Sequence, residues 1–368
     1  NINMKQIKTF FSKFIIYIFA VLFSGSLAAN AEIKVVTTIK PLHSLISNVM
    51  DGVGEPSLII EGSTSPHSFV LKPSHAKMIE QADIIFWIGE DIETFMEKPL
   101  ESIAKNAKKI SFMELASIEK LKFREENIFD HDDHDDHGHG EKKDHDDHGH
   151  GEDKDHDDHG HGEKKDHDDH GHGEDKDHDD HGHGEKKDHD DHGHGHEGHH
   201  HGEFDAHIWL DPANAKEMLH EIAHELADLD PDNASKYESN ADQAIKSIDK
   251  MIKDIDTNIN KDAKFIVFHD AYQYFETRFG IMTAGALTLN TDVLPGAKQI
   301  SEIQEVITER DIKCIFSEPQ FNPKIIETIA KDTGIKTGVL DPLGSIFDAN
   351  KMQYFKLIND LGNKLKDC

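Results

Sequence analysis

Histidine is the residue type here with the most chemistry to offer: 30 of them stand beside 72 acidic residues, 40 basic ones and two cysteines in 368 residues. A neutral imidazole is a ligand for borderline divalent ions such as zinc, copper and nickel. Eighteen of the histidines belong to an eleven-residue unit, His-Asp-Asp-His-Gly-His-Gly plus an acid/lysine spacer, that begins at His134, His145, His156, His167, His178 and His189. His134, His137, His139, His145, His148, His150, His156, His159 and His161 fill the first three copies, and five further histidines bring the tract to 23. A solvated spacer would account for the carboxylates alone. Imidazoles at this density point instead to metal contact, of modest affinity, because the tract must be ordered each time it binds.

Seven histidines lie outside the tract: His43, His67, His75, His207, His220, His224 and His269. His220-Glu221-Ile222-Ala223-His224 fits the H-E-x-x-H pattern of zinc proteases. At 100° per residue, however, Ala215, Met218, Leu219, Ile222, Leu226 and Leu229 share one face of the helix, and the two histidines project from the other. The extended pattern would also need Gly and His where Ala227 and Asp230 stand. His67, His207 and His269 differ from this pair. Each follows or ends a strand-like segment just before a helix, where a parallel sheet presents its loops to a cleft.

The elements that would position them alternate. Ile33–Thr38, Ser57–Glu61 and Ile84–Ile88 read as strands, Pro41–Met50 and Pro73–Gln81 as helices. Pro212–Leu229 and Pro231–Ile259 read as two helices in near-succession. Strands at Lys264–Phe268, Met282–Thr288, Cys314–Ser317 and Lys336–Leu340 then alternate with helices at Ala271–Phe279, Lys298–Arg310, Asn322–Thr333 and Lys351–Lys366. The expected fold class is α/β: two lobes, each a parallel sheet flanked by helices, joined by a long helix, with the site in the cleft between them. Residues 32–230 form the first lobe, with 130–203 as a disordered insertion; 231–259 form the linking helix and 260–368 the second lobe.

Basic residues, an apolar run from Phe14 to Phe23 and Ala29-Asn30-Ala31 have the layout of a secretory signal peptide over residues 1–31, cleaved near Ala31. The run is too short to span a bilayer. In an oxidising compartment, a disulfide between Cys314 and Cys368 is the natural reading, with a buried thiol and a frayed terminus as the alternative. The net charge of −32 comes mostly from the tract, where 29 acidic residues face 8 lysines, and nothing in the chain is basic enough for nucleic acid.

Five segments carry a resemblance: SPHSFVLKPS (65–74), HIWLDP (207–212), FHDAYQYFE (268–276), FSEPQF (316–321) and LDPLG (340–344). With them, and with the His-rich acidic loop, the chain resembles the metal-binding solute receptors of bacterial ABC importers, in particular zinc-uptake receptors of the ZnuA type. The resemblance implies a periplasmic, monomeric, non-enzymatic receptor that carries Zn2+ to a membrane permease with a separate ATPase. It implies His67, His207 and His269 as metal ligands. It implies Asp341 as fourth ligand or, preferably, as acceptor for an imidazole N–H, and it fits the cysteine pair to the disulfide of zinc-type members. Pro66 stands where some zinc-type relatives have an acidic residue, so that contribution is missing. His at 269, where manganese-type relatives carry a carboxylate, favours zinc. A manganese or iron receptor and a storage protein acting through the tract are the alternatives. The chain has no G-x-x-x-x-G-K-[ST] loop with which to spend ATP itself.

Overall fold

The computed structural model describes residues 32–128, 202–289, 291, 293–366 and 368. The expected signal peptide and the repeats of the His-rich insertion lie outside the described residues.

Two four-stranded sheets, both wholly parallel, carry the fold. In the first, β1 (Val35–Thr37), β2 (Ser57–Leu58), β3 (Ile84–Trp87) and β4 (Lys108–Ser111) lie in the order β2-β1-β3-β4. In the second, β5 (Phe265–His269), β6 (Ala286–Thr288), β7 (Cys314–Ser317) and β8 (Lys336–Val339) lie in the order β6-β5-β7-β8. The innermost strands are runs of Val, Ile and Phe because both of their faces are covered. On β5 the alternation is visible: Phe265 and Val267 point to one apolar cluster, Ile266 and Phe268 to another.

Helices α1 (Lys40–Val49), α2 (Pro73–Glu80) and α3 (Glu97–Ser102) accompany the first sheet. α4 (Pro212–Leu229) and α5 (Ala234–Asn258) follow, and α6 (Gln273–Phe279), α7 (Ala297–Glu309) and α8 (Lys324–Thr333) accompany the second. The chain closes with α9 (Gln353–Lys366). Proline in the first turn starts α1, α2 and α4, where its missing N–H costs nothing. Asp211 caps α4 by accepting from the Ala213 amide at 2.7 Å. Gly280, at φ 58°, ends α6 in the left-handed conformation that a side chain would disfavour.

α5 buries Tyr237, Ala241, Ala244, Ile248, Met251 and Ile255, a stripe at helical spacing. It packs against α1, α4 and α9, so it is part of a helical layer as well as a connection. One apolar cluster runs through that layer, from Val35 and Phe86 on the first sheet, through Ile222 and Ile248, to Phe265 and Phe316 on the second. A second cluster fills the far side of the second sheet under α7 and α8. α9 lies on α1 and α5, and its end is fastened to β7 by the Cys314–Cys368 disulfide. The apolar face expected on α4 is buried except at its end, where Leu229 is exposed in the last turn.

Candidate metal centre

The site grows out of the carboxyl ends of the strands. His67 sits in a 3-10 turn, Pro66–Ser68, whose preceding Ser65 hydroxyl accepts from the His67 amide at 3.3 Å. His207 precedes a second 3-10 turn, Ile208–Leu210, that leads into α4. Trp209 in that turn donates its indole N–H to the Pro342 carbonyl at 2.8 Å, which pins the segment to the loop after β8. His269 is the last residue of β5.

These three imidazoles, 140 and 62 residues apart along the chain, meet at their Nε2 atoms. His67 Nε2 is 3.4 Å from His207 Nε2, which is 3.3 Å from His269 Nε2. Two ligands on a tetrahedral zinc with Zn–N bonds of about 2.0–2.1 Å stand roughly 3.3–3.4 Å apart. Among the described residues they form the one group of three or more His, Cys, Asp or Glu side chains placed to hold a metal ion. The space that they enclose is about 10 Å³, room for an ion and not for an organic ligand.

The other ring nitrogens show why Nε2 faces inward. His207 Nδ1 is 2.7 Å from Asp205 Oδ1, and His269 Nδ1 is 2.7 and 2.8 Å from the two Glu318 oxygens. A carboxylate only accepts, so each Nδ1 carries the proton and each Nε2 of the neutral ring presents a lone pair. Two such lone pairs directed at one another repel unless a cation lies between them. Sheet register accounts for the second pair. β5 and β7 align Phe265 with Cys314 and Ile266 with Ile315, and the same offset places Glu318 beside His269.

Buried charge leans the same way. Asp205, Asp270, Glu276 and Glu318 are all at most 5% exposed, and the half-buried Arg124 binds Asp270 at 3.0 Å and Glu276 at 2.6 Å. Burial pushes the carboxyls of Asp205 and Asp270 up to about 7. Burial, with the charge of His269 beside it, holds the His207 imidazole well below its ordinary value. At His269 burial acts in the same sense and is the largest single effect, but the carboxylates of Glu318, Asp270 and Asp205 together outweigh it and the imidazole is raised.

Asp341 does not take the part expected of it. It is buried, but its carboxylate accepts from Gln320 Nε2 (2.8 Å), the Leu343 amide (3.1 Å), and the Ser345 amide and hydroxyl (2.6 Å each). Those bonds occupy both oxygens in shaping the loop after β8, and the carboxylates on the Nδ1 atoms of His207 and His269 are Asp205 and Glu318. His220 and His224 are exposed on α4, away from the buried face. His43 contacts the Pro56 carbonyl, and His75 Nδ1 accepts from the Lys72 amide at the start of α2. The histidines of the tract lie outside the described residues. Glu318 lies within a segment singled out from the sequence and Asp205 two residues ahead of another, yet neither had an assigned part. For Asp205 the spacing Asp-x-His offered a local signal, whereas Glu318 needed the strand register.

Residues 35–368 match the family model of zinc-uptake complex component A, periplasmic. The high-affinity zinc uptake system protein ZnuA of Brucella abortus (strain 2308) is 43% identical over 363 residues, covering 98% of this chain and 99% of that protein. Its counterpart in Haemophilus influenzae is 39% identical over 351 residues, covering 95% and 96%. Among solved structures, a crystal structure of ZnuA aligns with a TM-score of 0.62 at 18% identity, covering 90% of this chain and 99% of that one. The laminin-binding protein of Streptococcus agalactiae aligns with a TM-score of 0.62 at 20% identity, over 91% and 98%.

Proposed function

The chain belongs to the family of periplasmic zinc-uptake complex component A proteins, and on that premise we propose that it captures Zn2+ through His67, His207 and His269 and hands it to a membrane permease driven by a separate ATPase. It is a zinc receptor of an ABC-type uptake system. The observation that carries the ligand assignment is the convergence of three imidazoles, with the Nε2 of His207 at tetrahedral-zinc separation from those of His67 and His269, and the opposite nitrogens of His207 and His269 held by buried carboxylates. An all-nitrogen set favours zinc over manganese, which prefers oxygen donors. Water would complete the tetrahedron, since the Asp341 oxygens are engaged elsewhere.

The remainder of the reading is exported and monomeric, with the signal peptide removed near Ala31. Among the described residues no helix is long and apolar enough to cross a membrane. Exposed Val70, Leu294 and Ile346 lie on loops that follow strand ends around the site, and they are suited to the permease surface that receives the ion. The tract at 130–203 serves as an auxiliary, low-affinity collector.

Trp209, whose ring centre is 5.3 Å from that of His207, gives a local signal that the tryptophan-free tract cannot. In free-zinc buffers, Trp209 emission should report one tight site that survives deletion of residues 130–203. His67→Ala, His207→Ala and His269→Ala should each remove it. Loss of the tight site on deletion of the tract, with the three alanine variants unaffected, would sink the assignment in favour of storage by the tract.

A further inference from the structure

Residues 121–128 form a strap stitched to both of the segments that carry the buried imidazoles. At its start, the Leu121 carbonyl accepts from the Asp205 amide at 2.8 Å, two residues from His207. The Leu121 amide donates to the Tyr274 hydroxyl at 3.0 Å, which in turn donates to the Asp205 carbonyl at 2.6 Å. Lys122 forms an antiparallel bridge with Phe204. At its end, Asn127 exchanges two bonds with Ala286 on β6, 2.8 and 3.0 Å, and Ile128 forms an antiparallel bridge with Gly285. β6 is the neighbour of β5, with Thr288 opposite His269. Between these two attachments the Arg124 guanidinium, 16% exposed, spans Asp270, next to His269, and Glu276 on α6.

We propose that Arg124 is a positioning residue for the metal site: it and its strap set the separation of His207 from His269. This rests on the ligand assignment above. The three side-chain ligands come from separate stretches of chain, and a tetrahedral ion tolerates little change in their spacing. A strap bonded at one end to the His207 segment and at the other to the strand beside that of His269, with a fork-shaped cation holding the acids between them, resists such a change. A lysine could supply the charge but not the fork that reaches Asp270 and Glu276 together.

Two variants test this in the full-length chain, with inorganic zinc as probe and Trp209 emission as readout. Arg124→Lys keeps the charge. Gly285→Ala touches no charge at all, but its added Cβ would meet the Asn127 carbonyl oxygen at 2.6 Å and lift the strap. Both should weaken zinc binding by about tenfold or more through faster release, the size expected when an outer partner of a ligand is lost. The apo melting temperature should move little in at least one of them. Unchanged affinity in both variants would overturn the proposal, as would failure of both to fold, which assigns the strap to stability alone. Tighter binding in Arg124→Gln would also overturn it, because removing a nearby positive charge favours a dication when positioning plays no part. His207→Ala serves as the control: if it leaves the zinc response intact, the ligand assignment fails, and not the strap alone.

Discussion

Burial separates the three imidazoles into a pair and a single. His207 and His269 are each 4% exposed, with Nδ1 held by a carboxylate, whereas His67 is only half-buried on a loop turn. Protons and zinc compete for Nε2, and the competition is set by the imidazole that holds its proton to the highest pH. Of the buried pair that is His269, raised above 6.5 because the carboxylates of Glu318, Asp270 and Asp205 together outweigh burial. Zinc affinity is therefore full well above 6.5 and begins to fall as the pH drops through the raised value; His207, held low, joins only in more acidic solution. Dissociation constants measured from pH 5.5 to 8.5 should show that decline, and a flat profile would contradict it. Glu318→Gln keeps an acceptor but loses the charge. It should weaken zinc binding about 10- to 100-fold and move the decline to lower pH, both readable in the same titration. The three converging histidines were legible in the sequence because each stands alone at a strand-to-helix junction. Glu318 was not, because it becomes the partner of His269 only through the register of β5 with β7. At Asp341 a local feature intervenes: in Asp341-Pro342-Leu343-Gly344-Ser345 the carboxylate turns back to the amides at 343 and 345, an Asx-type turn.

At the scale of elements, two features invite measurement. Glu93, on the loop after β3, is completely buried and accepts from the Ile88 and Gly89 amides at 2.7 and 3.3 Å. Burial, only partly countered by those bonds, raises its carboxyl to about 7. A carboxyl whose folded value lies above its unfolded one stabilises the fold below the unfolded value, and that contribution is lost as the pH rises through the folded value. Glu93→Gln should thus leave stability nearly unchanged at pH 4.5 and raise it by up to roughly 3 kcal/mol at pH 8, as read from urea unfolding at the two pH values. The disulfide joins residues 54 apart. Replacing Cys314 and Cys368 together with serine should cost about 4 kcal/mol on the chain-entropy account, or a melting temperature that no longer responds to reductant. Most elements could be read from periodicity, down to the bounds of α4 and β7. β4 could not: Lys108 and Lys109 are exposed, and only Ile110 and Ser111 turn inward, too little pattern for a strand. α3 is a short helix of six residues interrupted by Pro99, and it gave no repeat to detect.

The whole molecule is less divided than alternation of strands and helices suggests. Two parallel sheets follow from local pattern, but a core shared by both does not, since it depends on contacts such as Gly362 on Ile255 that no sequence period marks. Because one apolar cluster runs through both sheets and the helices between, calorimetry of the apo protein should give a single transition with equal calorimetric and van't Hoff enthalpies. Two resolved transitions would mean that the sheets melt separately. Zinc at a free concentration of 100 times its dissociation constant should add about 2.7 kcal/mol, and His269→Ala should abolish that shift.

That shared core also limits how the ion can leave. Parting the sheets to open a passage would strip water-free surface at about 25 cal/mol per Å², so a gap of roughly 1,000 Å² would cost on the order of 25 kcal/mol, far beyond thermal reach. The 3-10 turn holding His67 is under no such restraint, being half-exposed and secured at its start by the Ser65 cap. On the proposed ligand set, departure would then be a matter of one fastener coming undone while the other two stay fixed: an ion would lose His67 first and exchange at a rate governed by a few residues of loop rather than by the swing of a lobe.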